Sequence, residues 1–119
     1  MRLASRIAIN RTIAGMHFPV DSVAGAVLGM TLGKYLVARA TGGAAYEAWK
    51  FDGAGYPEHQ DFDWKLQYSV PDDKQTAVDG YVVGPMAQSD DTLASPILNV
   101  LWENARAEWQ IGSPPKAGA

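Results

Sequence analysis

The sequence has no cysteine and no surplus of basic residues, and each shortage excludes a class of protein. Without cysteine, the 119 residues can form neither disulfides nor thiolate metal sites. The ten Lys and Arg residues are scattered and are outnumbered by 13 Asp and Glu, which leaves a formal net charge of −3. We therefore expect no nucleic-acid partner, and the composition leaves the cellular location unknown.

Long uninterrupted apolar runs are also missing. The segment nearest to a membrane span is 23–40, but it contains several Gly and Thr residues and Lys34. A span normally needs about 18 strongly apolar residues. Arg6 and Arg11 interrupt the apolar part of the N-terminus, which therefore lacks the core of a signal peptide. We expect mature protein from the first residues and no membrane span.

The residues that are present, 47% hydrophobic and 19% charged, are typical of one globular domain with a modest core. Within the first 41 residues, apolar positions recur with helical spacing. A first helix is predicted over residues 2–13, with Gly15 as the left-handed residue that ends it. A second is predicted from Pro19, whose missing N–H would be unpaired at a helix start, to about Thr41, before the Gly42-Gly43 stop.

Three glycines, Gly25, Gly29 and Gly33, recur at every fourth position of the second predicted helix. Residues four apart lie on the same helix face, so these glycines form a strip without side chains. Such a strip lets another helix approach closely, and we interpret it as a packing surface.

Residues 42–91 are rich in Gly, Pro, Asp and aromatic residues. Turns are predicted at 53–57 and 70–73. The runs 65–70 and 81–83 could form short strands or extended segments. The rest of this middle segment is expected to be long irregular connections.

The last apolar segment predicts an amphipathic helix over about 92–110, capped by Asp90 or Asp91. Its apolar face is expected to be buried, with the two tryptophans in the core rather than at a ligand. The residues of this face are Leu93, Ile97, Leu98, Leu101, Trp102, Ala105 and Trp109. The tail 112–119 has no core-forming residues and is expected to be disordered. These elements predict a mainly α fold over residues 1–111, a partial helical bundle with a long irregular middle.

The residues best suited to chemistry lie at the junction of the first two predicted helices. Arg11 is near the end of the first helix, His17 lies just before the second, and Asp21 follows one turn later. A guanidinium and an imidazole placed in this way can converge on one oxyanion, the first by bidentate hydrogen bonds and the second by in-line attack. Asp21 is expected to orient the His17 ring, and the start of the second helix is expected to favour an anion.

The stretch 10–29 resembles the third active-site motif of the type 2 phosphatidic acid phosphatase and vanadium-dependent haloperoxidase superfamily. That motif has the pattern Ser-Arg-x5-His-x3-Asp, followed by glycines at four-residue intervals. The matching residues are Arg11, Gly15, His17, Asp21, Gly25 and Gly29. Asn10 stands where the phosphatases usually have Ser, and it still offers hydrogen bonds. Ser5-Arg6 has the right dipeptide, but it lies too far before His17 to fit the spacing.

The resemblance implies a helical domain of the acid phosphatase or vanadium haloperoxidase type, of which this chain is the C-terminal part. It implies that His17 is either the nucleophile that accepts a phosphoryl group or the protein ligand of vanadate. It also implies that Arg11 holds the oxyanion and that Asp21 orients His17. Phosphate or vanadate is the expected ligand, and vanadate is a cofactor only if the chain is of the haloperoxidase type. The motif does not separate phosphate ester hydrolysis from vanadate-dependent halide oxidation.

Two further motifs of the superfamily, a Lys-x6-Arg-Pro helix and a Pro-Ser-Gly-His turn, do not occur in the 119 residues. In the superfamily they supply further cationic contacts and the general acid. Catalytic groups that act as a unit lose most of their effect when one is removed. We therefore expect an inactive fragment, whose partners are the missing N-terminal helices or another copy of the chain. The alternative is a non-catalytic helical remnant that binds anions or packs against partner helices.

Two plainer interpretations compete with the functional ones. His17 could be a helix-capping or core histidine. The acidic run at 52–63, which includes His59, could suggest a metal site, but its spacing matches neither an EF-hand loop nor a His-x3-His pair. We predict a solvated loop there and no metal ligands.

Overall fold

A computed structural model of the chain describes residues 2–43, 45–89 and 94–111. The helices are α1 (Arg2–Ile13), α2 (Pro19–Thr41) and α3 (Pro96–Ile111). The strands are β1 (Ala45–Phe51), β2 (Tyr68–Ser69), β3 (Lys74–Gln75) and β4 (Val82–Ser89), and short 3-10 turns cover Gly53–Gly55 and Trp64–Leu66. The predicted bounds of the first two helices are confirmed.

The prediction of a mainly α fold is wrong, because the described part of the chain is 53% helical and 20% strand and is therefore mixed α/β. The middle segment forms two small antiparallel sheets, β1 with β4 and β2 with β3. In the larger sheet Ala45 pairs with Ser89 and Phe51 with Val82. Residues 52–81 separate these two strands in the sequence. No local sequence pattern therefore predicts that they pair.

The runs 65–70 and 81–83, predicted as short strands or extended segments, differ in how much strand they form. Of residues 81–83, Val82 and Val83 begin β4, which continues through Gly84 and Pro85 to Ser89. Glycine and proline normally argue against a strand, but an edge strand tolerates a missing N–H. Within residues 65–70, Lys65 and Leu66 end a 3-10 turn, and only Tyr68 and Ser69 form a strand, β2.

The core lies where the first half of α2 packs against the middle segment and the start of β4. Val23 and Val27, one helical turn apart, pack in one cluster with Phe62, Tyr81 and Val82. Burying apolar side chains is the main favourable term in folding. The core therefore holds the start of α2, where the candidate site lies, against the middle segment.

Helix α3 packs against α2 but leaves most of its apolar face exposed. The Asn99 side chain donates to the Ala40 carbonyl (2.8 Å), and the Ser95 N–H donates to the Arg39 carbonyl (3.0 Å). Trp102 is half-buried, whereas Trp109 is 81% exposed. The predicted buried stripe is therefore wrong for most of its members, because the described chain offers no second layer to cover it.

The predicted start of the last helix is also shifted. The helix begins at Pro96, and the Ser95 hydroxyl accepts a hydrogen bond from the Leu98 N–H (3.5 Å). The serine hydroxyl is a common helix cap, and proline suits the first helical position. The predicted caps at 90–91, the Leu93 position and the tail 112–119 lie outside the described residues.

Helix α2 is long and apolar enough, by length and composition, to cross a membrane. Of its 23 residues, four are buried: Val23, Val27, Ala38 and Ala40. A Cβ added at Gly25, Gly29 or Gly33 would meet no atom within 4 Å. Within the part of the chain that the structure describes, the glycine strip packs against nothing. Close helix packing on it stays a prediction.

Candidate anion-binding cleft

The turn between α1 and α2 is built around Gly15, which has a φ of 70°. The Met16 N–H donates to the Arg11 carbonyl (2.9 Å), and the Gly15 N–H donates to the Thr12 carbonyl (2.9 Å). This pair of bonds is the Schellman motif, which needs a left-handed residue that glycine adopts without strain. The turn reverses the chain and returns residue 17 towards the end of α1. The local sequence thus places His17 beside the helix that carries Arg11.

The start of α2 is organised by Asp21. Its carboxylate accepts a hydrogen bond from the Phe18 N–H (3.2 Å), and its own N–H donates to the Phe18 carbonyl (3.1 Å). The same carboxylate oxygen lies 3.7 Å from His17 Nδ1. That distance is within ion-pair range but is too long for a hydrogen bond. Asp21 therefore faces the His17 ring while its hydrogen bond is made to the backbone.

The amides at this helix start are less available to an anion than the sequence suggests. The Phe18 N–H is taken by the Asp21 carboxylate, and the Asp21 N–H is taken by a carbonyl. Pro19 has no N–H to offer. Neither of these two amides, nor Pro19, can therefore donate to an anion near His17.

Arg11, His17 and Asp21 line a single cleft of about 560 Å³ between α1 and the first half of α2. His17 is half-buried and Arg11 is exposed. Among the described residues no carboxylate pairs with the Arg11 guanidinium, so its donors are free for a ligand. All three side chains belong to the motif at 10–29, and the fold places them around one cleft.

The rest of the cleft is formed by residues that were not predicted from the sequence. Ser5 of α1 and Ser22 of α2 also line it, and Phe62, Trp64 and Gln67 come from the middle segment. Local pattern does not identify the last three, because they reach the cleft only through the tertiary fold. Gln67 is 1% exposed, and its Oε1 has no hydrogen-bond partner.

The acidic run at 52–63 serves local structure. The Asp52 carboxylate accepts from the Ala54 N–H (3.1 Å), and the Asp63 carboxylate accepts from the Lys65 N–H (3.0 Å). Each bond satisfies a donor at the start of a 3-10 turn. Within residues 2–43, 45–89 and 94–111, no group of three or more His, Asp or Glu residues could hold a metal ion.

Comparisons with protein families, with curated proteins and with solved structures find no match for this chain. The resemblance to the phosphatase and haloperoxidase superfamily thus depends on the motif at 10–29. The geometry adds that the three polar residues of this motif line one cleft.

Proposed function

We propose that the cleft binds phosphate or vanadate as one wall of a pocket of the phosphatase or haloperoxidase type. The observation that carries the proposal is the convergence of Arg11, His17 and Asp21 on one cleft, with the Arg11 guanidinium unpaired in the described chain. A free guanidinium beside an imidazole offers both charge and directed donors to an oxyanion.

Each of the three side chains has a distinct role in this proposal. Arg11 donates two parallel hydrogen bonds to oxyanion oxygens. Asp21 lies next to His17 Nδ1, and a closing of about 1 Å would make a hydrogen bond there. That bond would fix a proton on Nδ1 and leave Nε2 with its lone pair towards the ligand.

The chemistry supported by this arrangement is transfer of a phosphoryl group to His17. A P–N bond forms at Nε2 while the P–O bond of the ester breaks, and the leaving oxygen needs a proton. The 119 residues contain no Pro-Ser-Gly-His turn to supply that proton by the superfamily's route. For a vanadate-binding protein, the same nitrogen would donate its lone pair to the metal. The isolated chain should bind the oxyanion yet turn over substrate poorly.

Calorimetric titration of the full chain with phosphate and with vanadate tests the proposal. Losing hydrogen bonds to a charged group should weaken binding in Arg11→Ala and in His17→Ala by about 10- to 100-fold. Arg6 lies on the same helix outside this cleft, and His59 is exposed on a loop. Arg6→Ala and His59→Ala are therefore matched controls that should bind like the wild type.

Two results would contradict the proposal. One is an anion affinity that is unchanged in both Arg11→Ala and His17→Ala. The other is equal weakening in the Arg6→Ala control, which would indicate a general charge effect. Hydrolysis of p-nitrophenyl phosphate, or bromide oxidation with vanadate, by a longer protein carrying the other two motifs would separate the two chemistries.

A second candidate function is helix packing without catalysis. The observation that favours it is the open face of α2, where the glycine strip lies beside the exposed Leu28, Leu32 and Leu36. A face of small and apolar residues accepts another helix closely. Gly33 belongs to the same strip but lies outside the anion cleft, which Gly25 and Gly29 line. If Gly33→Leu abolished capture of a helical partner while the anion affinity stayed unchanged, packing would be the separate role of this face.

A further inference from the structure

The lining of the candidate cleft has two chemically different parts. Arg11, His17 and Asp21 come from the end of α1, the turn and the start of α2, whereas a second wall is formed by apolar side chains of both helices and by Phe62 and Trp64 of the middle segment. Inorganic phosphate would use only the first part. A volume of about 560 Å³ is of the size that holds a whole small organic molecule.

Gln67 is the unusual residue of the second wall. Its N–H donates to the Trp64 carbonyl (3.1 Å), and its own carbonyl accepts from the Thr76 N–H (2.9 Å). The backbone is thus held on both sides, and the side chain is buried against the cleft. Nevertheless its Oε1 has no partner among the described residues. A buried acceptor without a donor is energetically unfavourable. The missing partner of such a group is often a ligand or an ordered water.

Trp64 adds a partly exposed aromatic ring to the same wall of the cleft. It is half-buried, and its ring lies tilted beside Tyr68 with 6.4 Å between the ring centroids. The exposed part of an indole ring favours contact with another flat ring. The terminal amide torsion of glutamine is soft, so a small rotation can present Oε1 to a donor in the cleft.

We propose that the cleft takes an oxyanion ester whose organic group is an aromatic ring bearing a hydrogen-bond donor. The oxyanion lies on Arg11 and His17, the ring contacts Trp64, and the donor binds Gln67 Oε1. This inference rests on the proposed function, since it uses the same anion site. It adds the class of the organic group and makes Gln67 a binding residue.

Calorimetric titration of the full chain with matched ligand pairs tests each part. Phenyl phosphate should bind more tightly than cyclohexyl phosphate, because only the first is flat. Indolyl phosphate should bind about 3- to 10-fold more tightly than naphthyl phosphate, which has a similar shape but no N–H donor. Inorganic phosphate measures the anion end alone, and indole measures the ring wall alone.

The variants assign the effects to residues. Gln67→Met keeps the side-chain length and should remove the preference for indolyl over naphthyl phosphate. Gln75→Met is the matched control, because Gln75 is also buried with an unpaired amide but lines a different groove. Trp64→Leu should remove the preference for phenyl over cyclohexyl phosphate while inorganic phosphate still binds.

The outcomes separate this inference from the function on which it rests. If inorganic phosphate binds and depends on Arg11, but no organic group adds affinity, the inference is wrong and the proposed function stands. A preference for indolyl phosphate that persists in Gln67→Met would also overturn it. If inorganic phosphate does not bind and indole binds in a Gln67-dependent manner, the proposed function fails and the ester proposal fails with it.

Discussion

Tyr56 is part of a chain of polar contacts that reaches into the core. Its hydroxyl donates to the Gln60 carbonyl (2.7 Å), and the Gln60 side-chain amide donates to the Tyr81 hydroxyl (2.7 Å). Burial raises the pKa of Tyr56, and the neighbouring Tyr81 and Asp61 raise this pKa further. The phenol therefore stays protonated, and able to donate, over a wider pH range in the folded chain than in the unfolded one.

That raised pKa predicts a loss of stability at alkaline pH. The folded state holds the Tyr56 proton more tightly than the unfolded state does. The phenol therefore contributes fully to the free energy of unfolding below a pH of about 10, and this contribution is lost as pH rises through the folded pKa. Melting temperatures across the alkaline range should fall less steeply in Tyr56→Phe, which should itself lose about 1 kcal/mol near neutral pH. Tyr46→Phe is the control and should keep the wild-type slope. Identical slopes in Tyr56→Phe and the wild type would refute this coupling.

At the scale of elements, two glycines in different settings should respond in opposite ways to alanine. A Cβ at Gly55 would lie 1.8 Å from the Gly80 carbonyl oxygen, where two backbone segments meet and neither can yield. Gly25 lies within α2 and faces open space. Gly55→Ala should therefore lower the free energy of unfolding by about 2 kcal/mol or more. Gly25→Ala should raise it by about 0.5–1 kcal/mol, because alanine favours the helix.

Chemical denaturation of both variants measures this difference. Their free energies of unfolding should lie on opposite sides of the wild-type value. If Gly25→Ala were as destabilising as Gly55→Ala, the face of α2 that carries Gly25 would be covered in solution and not exposed. The comparison therefore tests the packing of α2 as well as the turn.

The elements that sequence analysis predicted are those with local signals. Gly15, Pro19 and Gly42 mark the ends of α1 and α2, and each acts on its immediate neighbours. The Ser95-Pro96 pair is a similar local signal, and it marks the start of α3. In contrast, β1 and β4 depend on each other across a long loop, so propensity alone did not indicate them.

The candidate site likewise combines residues placed by local signals with residues placed by long-range contacts. Arg11, His17 and Asp21 belong to one short motif, and a turn of known geometry joins their helices, so their approach could be predicted. Gln67 and Trp64 reach the cleft from the middle segment, and their positions depend on the β2–β3 pair and on the core. Periodicity carries no information about such long-range placement.

At the scale of the whole molecule, the described surface carries many exposed large apolar residues. They lie on all three helices and include Leu3, Ile7, Ile13, Leu28, Leu32, Leu36, Ile97, Val100 and Leu101. Large exposed apolar patches mark surfaces that bind a partner or promote association. Further helices or a second copy of the chain stay the expected partners for these side chains.

This exposure predicts that the isolated chain binds an apolar dye or self-associates as its concentration rises. Leu32 is 48% exposed, so Leu32→Glu should reduce both effects with little change in melting temperature. Val27 is on the same helix but 3% exposed, so Val27→Glu buries an unpaired charge and should unfold the chain. Dye fluorescence, sedimentation and thermal melting of the three proteins measure these effects. A wild-type chain that is monomeric at all concentrations and binds no dye would show that α2 is covered in solution, contrary to the open face described here.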